Sequence, residues 1–265
     1  MMFDLDRYKI SLSKMDKTSR KITDLSTQKI RQLKVITDVR EIVQGAAEHK
    51  RMIDLPGGTF DPIHEGHLAM ARHALSTLNL AQVLLIPAGS PWQRRPRAPA
   101  TDRLRMAELA IAGLPYLEVD PCEIIRPAPT YTLDTLTELR AKHGPDQPFC
   151  LLLGSDAFLN LPTWYHWKQL LDLTHIAVLC RPGFDIPSPL TPDDLEQAWQ
   201  TRRVAAEALA SNPAGKMITL SMPPVPISST QIRHALAHSL PLSSELVPTT
   251  VLQYIAAQQL YRSRP

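Results

Sequence analysis

Eleven residues, Gly57-Gly58-Thr59-Phe60-Asp61-Pro62-Ile63-His64-Glu65-Gly66-His67, concentrate more potential chemistry than any other stretch of the chain. Paired glycines let a backbone approach a ligand with no Cβ in between. Asp61 followed by Pro62 reads as a helix start, with Asp61 as the cap and Pro62 in the first position. The free N–H groups and positive potential of such an end suit a phosphate. His64 and His67 are three residues apart, so on one helical turn both imidazoles face the same way, with Gly66 keeping the surface between them open. Two imidazoles aimed at one point suit a triphosphate, by hydrogen bond or by charge.

Two further strings could join that site. Ile227-Ser228-Ser229-Thr230-Gln231-Ile232-Arg233 spaces Ser228 and Gln231 as a capping box, so a helix starts there and Arg233 projects from its first turn or so. Taken alone, this is equally an ordinary cap with a surface arginine. Leu153-Gly154-Ser155-Asp156-Ala157 closes an apolar run; Gly154 admits a close approach and Asp156 either accepts from ribose hydroxyls or caps a helix. Downstream, Leu161-Pro162-Thr163-Trp164-Tyr165-His166-Trp167 clusters aromatics, which form core or offer an indole face to a flat cationic ring. No Ser/His/Asp or Cys/His nucleophile arrangement stands out.

The elements that must position these residues alternate. Met52–Leu55, Val83–Ile86, Leu117–Val119, Phe149–Leu153, Ile176–Cys180 and Met217–Leu220 read as strands. Helical patterns run through Leu68, Ala71, Leu75 and Leu78, over Asp102–Ala112, through Leu133, Leu136 and Leu139, and over Leu195–Leu209, Thr230–Ala237 and Leu246–Leu260. Continuous apolar strands alternating with helices predict an α/β fold, a doubly wound, Rossmann-like parallel sheet with helices on both faces. Sites in such sheets lie at the carboxyl ends of the strands.

Composition bounds the rest. The chain has 265 residues, 44% hydrophobic, enough for a full core. The net charge is +3, but residues 1–50 hold 11 Lys and Arg against 7 Asp and Glu, and the remainder is nearly neutral. Residues 1–50 are read as a basic N-terminal extension, disordered or partly helical, and 51–265 as the catalytic domain. An upstream start before Met52, a tether and a packed helix stay open for the extension. Its modest charge does not resemble a nucleic-acid-binding domain. Cys122, Cys150 and Cys180 are odd in number and lack C-x-x-C spacing, against a disulfide scaffold or zinc site. No stretch reaches a membrane span and no secretory h-region is evident, so the cytoplasm is the expected compartment.

The string ending His64-Glu65-Gly66-His67 resembles the signature of the nucleotidyltransferases with a histidine-x-glycine-histidine motif. Together with Thr130-Tyr131-Thr132-Leu133-Asp134-Thr135, Gly154-Ser155-Asp156, Trp164-Tyr165, Arg181-Pro182-Gly183 and Ser228–Arg233, in that order, it resembles the bacterial nicotinate-nucleotide adenylyltransferase family from about Met52 onward. The resemblance implies AMP transfer from ATP to nicotinic acid mononucleotide in NAD biosynthesis, with Mg²⁺ accompanying ATP and no protein metal ligand assigned. It implies catalytic roles for His64, His67, Arg94 and Arg233. It assigns ATP to Gly57, Gly58, Thr59, Phe60, Gly154, Asp156, Arg181, Ser229 and Thr230. It assigns the mononucleotide to Thr132, Trp164 and Tyr165, with Trp164 stacked on the pyridine. Two departures stand out: Arg94 where the family usually has Lys, a planar fork for a point charge, and Pro56 before Gly57. Acceptors such as nicotinamide mononucleotide or phosphopantetheine define the sister enzymes, and a non-catalytic regulator with a basic arm is the rival from another class. A homo-oligomer is left open.

Overall fold

Six parallel strands form one sheet in the order β3-β2-β1-β4-β5-β6 in the computed structural model of the chain. The structure describes residues 51–54, 59–78, 80, 82–91, 95–180, 186–223 and 225–262. The extension at 1–50 therefore lies outside the described residues, as do Gly57, Gly58, Arg94 and Arg181. Contacts within Glu48–Pro265 make one unit.

The strands are β1 (Arg51–Asp54), β2 (Gln82–Leu85), β3 (Leu117–Val119), β4 (Phe149–Gly154), β5 (His175–Cys180) and β6 (Met217–Ser221). Each lies within a residue or two of its expected position, because continuous apolar runs are what a sheet buried on both faces requires. The chain winds outward from β1 through β2 to β3, then returns to pair β4 on the other side of β1, with Ile53 aligned to both Leu84 and Leu151. That reversal is a topological switch point, and it places the carboxyl ends of β1 and β4 side by side beneath a crevice.

Alternation along the strands divides the core in two. Val83, Leu85, Leu152 and Leu220 enter one cluster with Leu68, Ala71 and Ala74 of α1 (Glu65–Thr77), with Met106 and Ala110 of α2 (Ala100–Ile111), and with Val251 and Ile255 near the C-terminus. Leu84, Leu151, Leu153 and Val178 enter the other. The second face is covered by α4 (Thr132–His143), α5 (Ser155–Leu159), α6 (Trp167–Leu173) and α7 (Asp193–Arg202), with α3 (Cys122–Ile125) preceding α4. Both faces of the sheet are thereby dry, and strand ends are the positions left for ligand chemistry.

Several helix limits differ from the sequence expectation. The segment expected as one helix over 195–209 breaks at Arg203, where the backbone leaves the helix to bridge Met217 and the Val204 N–H donates to the Met217 carbonyl at 2.9 Å; a 3₁₀ turn follows over Ala206–Ser211. The last two helices are α8 (Ser229–Ala237) and α9 (Thr249–Ala257). The second stops short of Leu260 because Gln259 and Tyr261 take positive φ, turning the chain end back.

Candidate active site

The first helix does not begin at Asp61. Phe60 sits at φ 47°, the chain turns at Asp61-Pro62, and α1 starts at Glu65 with His64 as its cap. The Glu65 N–H donates to the Leu246 carbonyl at 2.9 Å, which anchors the helix start, and Phe60 and Ile63 are fully buried. A non-glycine residue in the left-handed region is a strained conformation of the kind that functional loops carry. The buried Phe60 ring over-determines it, packing edge-on to His67 with centroids 5.1 Å apart. Phe60 is therefore a support under His67. Its ring has no face free for ATP, and only its backbone is left to meet a ligand.

The two histidines do converge, though as a cap and not as a helical pair. His64 Nδ1 accepts the Gly66 N–H at 3.1 Å, and His67 Nδ1 accepts the His64 N–H at 3.2 Å. Their ring centroids stand 3.8 Å apart. Burial pushes the His64 imidazole down to about 4, and burial plus its neighbour pushes His67 down as well. Both rings are neutral at pH 7, and with Nδ1 accepting, each keeps its proton on Nε2. The loop thus presents two fixed N–H donors, which selects the hydrogen bond over charge as the imidazoles' contribution. Gly66 serves this geometry directly: a Cβ there would lie 2.8 Å from Cε1 and Nδ1 of His64. It makes room for the ring itself, where the sequence suggests openness toward a ligand.

Asp61 is a clamp and not a helix cap. Its carboxylate accepts the Arg97 N–H at 2.7 Å and the Ala98 N–H at 3.0 Å, tying the loop after β2 to the histidine loop. Arg103, almost wholly buried on α2, reinforces that tie by donating to the carbonyls of Thr59 at 2.7 Å and Gly89 at 3.0 Å. Neither role is visible in the sequence. The Asp-Pro pair carries a competing cap signal, and Arg103 stands at an unremarkable place in a helical run.

The second string arrives where the chemistry needs it. Ser228 caps α8 by accepting the Gln231 N–H at 3.2 Å. The Ser229 hydroxyl donates to the Pro62 carbonyl at 3.0 Å, and the half-buried Arg233 donates to the Asp61 carbonyl at 2.7 Å and to Thr230 Oγ1 at 3.0 Å. Segments about 170 positions apart are thus joined through the histidine loop. With its hydroxyl committed to Pro62, Ser229 has only its first-turn N–H left as a donor, an orphan by helix geometry, as is that of Thr230.

At the end of β4, among the described residues and apart from its chain neighbours, no heavy atom lies within 4 Å of where a Cβ on Gly154 would stand, and Asp156 follows with an exposed side chain. The Tyr131 ring lies 4.6 Å from that of Tyr165, which brings the start of α4 at Thr132 against the aromatic string. Among the described residues, no side-chain cap hydrogen bond is made at that helix start. Trp167 is core, while Trp164 is half-buried and Tyr165 is exposed. Among the described residues, no three His, Cys, Asp or Glu side chains group closely enough to hold a metal ion.

A six-stranded 3-2-1-4-5-6 sheet, with a histidine pair and a capped arginine helix at its switch point, defines a nucleotidyltransferase of the Rossmann type. The cytidylyltransferase-like family model matches residues 55–235. The chain is 42% identical over 213 residues to a protein named probable nicotinate-nucleotide adenylyltransferase from Dechloromonas aromatica, covering 80% of this chain and 98% of that one. A protein of the same name from Acidithiobacillus ferrooxidans is 44% identical over 210 residues, covering 78% and 94%. The chain belongs to the nicotinate-nucleotide adenylyltransferase family. Its fold is also that of Plasmodium falciparum nicotinic acid mononucleotide adenylyltransferase complexed with NaAD, at a TM-score of 0.60 and 19% identity over 80% of this chain and 98% of that one. Among the described residues, no helix is long and apolar enough to cross a membrane.

Proposed function

We propose that this chain transfers the adenylyl group of ATP to the phosphate of nicotinic acid mononucleotide, giving nicotinic acid adenine dinucleotide and pyrophosphate. The observation that carries this reading is the junction of the two strings: Arg233 bonded to Asp61, beside two imidazoles whose N–H donors are fixed. That is a cradle for a polyphosphate.

The acceptor phosphate attacks the α-phosphorus in line, a P–O bond forms, and the bond to the pyrophosphate oxygen breaks. A phosphate monoester has a second pKa near 6 and is already ionised at pH 7, so no general base is required. The chain's contribution is alignment and charge stabilisation, with positioning alone worth roughly 7–11 kcal/mol in well-oriented cases. In this reading His64, His67, Arg94 and Arg233 meet the phosphates, and neutral Nε2–H donors add stabilisation without the cost of charging a buried ring. Thr59, Gly57 and Gly58 supply backbone, Ser229 and Thr230 their N–H groups, and Arg181 charge. Gly154 and Asp156 hold the ribose of ATP.

Nucleotidyl transfer from ATP uses a divalent metal, and Mg²⁺ is the proposed one. The nitrogen donors and cations around this cradle suit phosphate oxygens more than a hard cation that prefers oxygen ligands. Mg²⁺ therefore fits as part of the ATP complex, held by phosphates and water, where it neutralises charge on the transferring group.

One feature favours the acid over the amide, and a second favours a pyridinium mononucleotide of either kind. The uncapped start of α4 offers N–H donors, and positive potential, to a carboxylate at Thr132. The half-buried Trp164 beside Tyr165 gives the pyridinium ring a stacking face. Pyrophosphate release with Mg²⁺ and ATP, comparing nicotinic acid mononucleotide with nicotinamide mononucleotide, tests the reading. A marked preference for the acid is expected. Equal or reversed rates would overturn the pocket assignment, and no release with either would overturn the activity.

A further inference from the structure

Tyr261 lies at the far end of the chain, 200 positions from Asp61, yet its hydroxyl donates to Asp61 Oδ1 at 2.7 Å. The contact is built, not incidental. Tyr261 takes a left-handed φ of 62° after the last helix turn, and Leu260 packs on the core cluster below it. Burial and the Asp61 carboxylate push the phenol well above its usual range, so it remains a donor at every working pH.

The partners of Asp61 show what this donor does. Oδ1 takes the Ala98 N–H and Tyr261, and Oδ2 takes the Arg97 N–H. Oδ2 also stands 3.9 Å from Nη1 of Arg233, at the outer limit of an ion pair. The closing distance to a tight charge-assisted bond is about 1 Å. A carboxylate freed to rotate by that amount would seize the guanidinium and hold it on the protein. Fixed as it is, the carboxylate leaves Arg233 hydrogen-bonded, among the described residues, to a main-chain carbonyl and to Thr230.

We propose that Tyr261 is a positioning residue for the phosphate cradle: its hydroxyl holds the Asp61 carboxylate off Arg233 and so keeps that guanidinium available to the triphosphate. The proposal rests on the cradle reading above. It makes the segment that follows α9 part of the ATP side of the site and leaves the mononucleotide side untouched.

The test uses the full chain and Tyr261→Phe, which removes one hydroxyl and keeps the ring. The readouts are calorimetric Kd for MgATP, KM for each substrate, and melting temperature. MgATP binding is expected to weaken about five- to tenfold. The KM for the mononucleotide should stay within about twofold, and melting within a few degrees. In an Asp61→Asn background, where no carboxylate can capture Arg233, the same tyrosine change should alter MgATP binding less than about twofold. Unchanged MgATP affinity in Tyr261→Phe would overturn the proposal, as would equal losses for both substrates in step with melting, or a full effect in the Asn background. If the wild-type chain binds MgATP but releases no pyrophosphate with nicotinic acid mononucleotide, the acceptor reading fails while the comparison of affinities still decides the role of Tyr261. A wild-type chain that binds no MgATP would overturn both.

Discussion

The Nδ1 atom of His67 accepts the backbone N–H of His64 at 3.2 Å, so one histidine orients the other and both keep Nε2 as a donor. In the proposed polyphosphate site the imidazoles act neutral, and the electrostatic burden would fall on the arginines and on the cation that accompanies ATP.

A pH dependence follows from that arrangement. Burial depresses the His64 pKa to about 4 from an ordinary 6.5, and His67 moves in the same direction. The unfolded chain therefore takes up protons first as pH falls. The stability contributed by the neutral His64 ring is fully present above about 6.5 and is lost as pH drops toward 4, with each pH unit across that window worth at most about 1.4 kcal/mol, and His67 adds a loss in the same direction. Melting should fall between pH 7 and pH 5, and His64→Gln should remove part of that slope. Nitrogen NMR should show both rings as Nε2–H tautomers that do not titrate between pH 6 and 8. Titration of either ring within that window would refute the neutral assignment.

Loss of either donor should reduce turnover far more than stability. His64→Ala and His67→Ala are each expected to lower kcat by about 10²–10³, the range for deleting one preorganised donor. Gly66→Ala provides a finer probe, because its methyl meets the His64 ring at 2.8 Å and must displace it. It should lower kcat while the circular dichroism spectrum stays native. Wild-type turnover in Gly66→Ala would mean that the His64 ring need not stand where it does.

The sheet was legible because each strand is a continuous apolar run, and such runs have few alternatives when both faces are buried. The short helices over Cys122–Ile125, Ser155–Leu159 and Trp167–Leu173 were not legible, since four to seven residues show too little period to detect. The glycine-histidine string and the Ser228–Arg233 string were readable as motifs, but their joining was not. Nothing local announces that Ser229 reaches Pro62 or that Arg233 reaches Asp61. The roles of Phe60 and Asp61 differ from expectation for one reason: a Phe-Asp-Pro string satisfies the local rules of a ligand-facing loop and a helix cap, and only packing shows the ring turned inward and the carboxylate turned to Arg97.

Arg103 should prove a stability residue beneath the site. Its guanidinium reaches three carbonyls, those of Thr59, Gly89 and Ala98, and is 1% exposed. Arg103→Met strands those acceptors, at about 1–3 kcal/mol each where water cannot replace the donor. A total near 3 kcal/mol corresponds to a melting loss of roughly 6–12 °C in a domain this size. Arg103→Lys should rescue little of it, because an ammonium lacks the planar fork that spans three acceptors. Near-wild-type melting of the Lys variant, read by circular dichroism, would show that charge and not the fork matters.

The proposed stacking role of Trp164 predicts different effects on the two substrates. Trp167 is packed among Leu170, Leu171 and the rest of the second cluster, while Trp164 lies only partly against it and keeps a face toward solvent beside Tyr165. Core indoles cost stability when removed, and a stacking indole costs affinity for the ring it covers. Trp164→Ala should therefore raise the KM for nicotinic acid mononucleotide by about tenfold or more, with the KM for ATP changed by less than about twofold. Trp167→Ala should do the reverse in kind, lowering the melting temperature with little selective effect on either KM. Steady-state kinetics of both variants, with each substrate varied in turn, decide the matter. A larger rise for ATP than for the mononucleotide in Trp164→Ala would place the indole on the wrong substrate and reopen the assignment of the pyridine pocket.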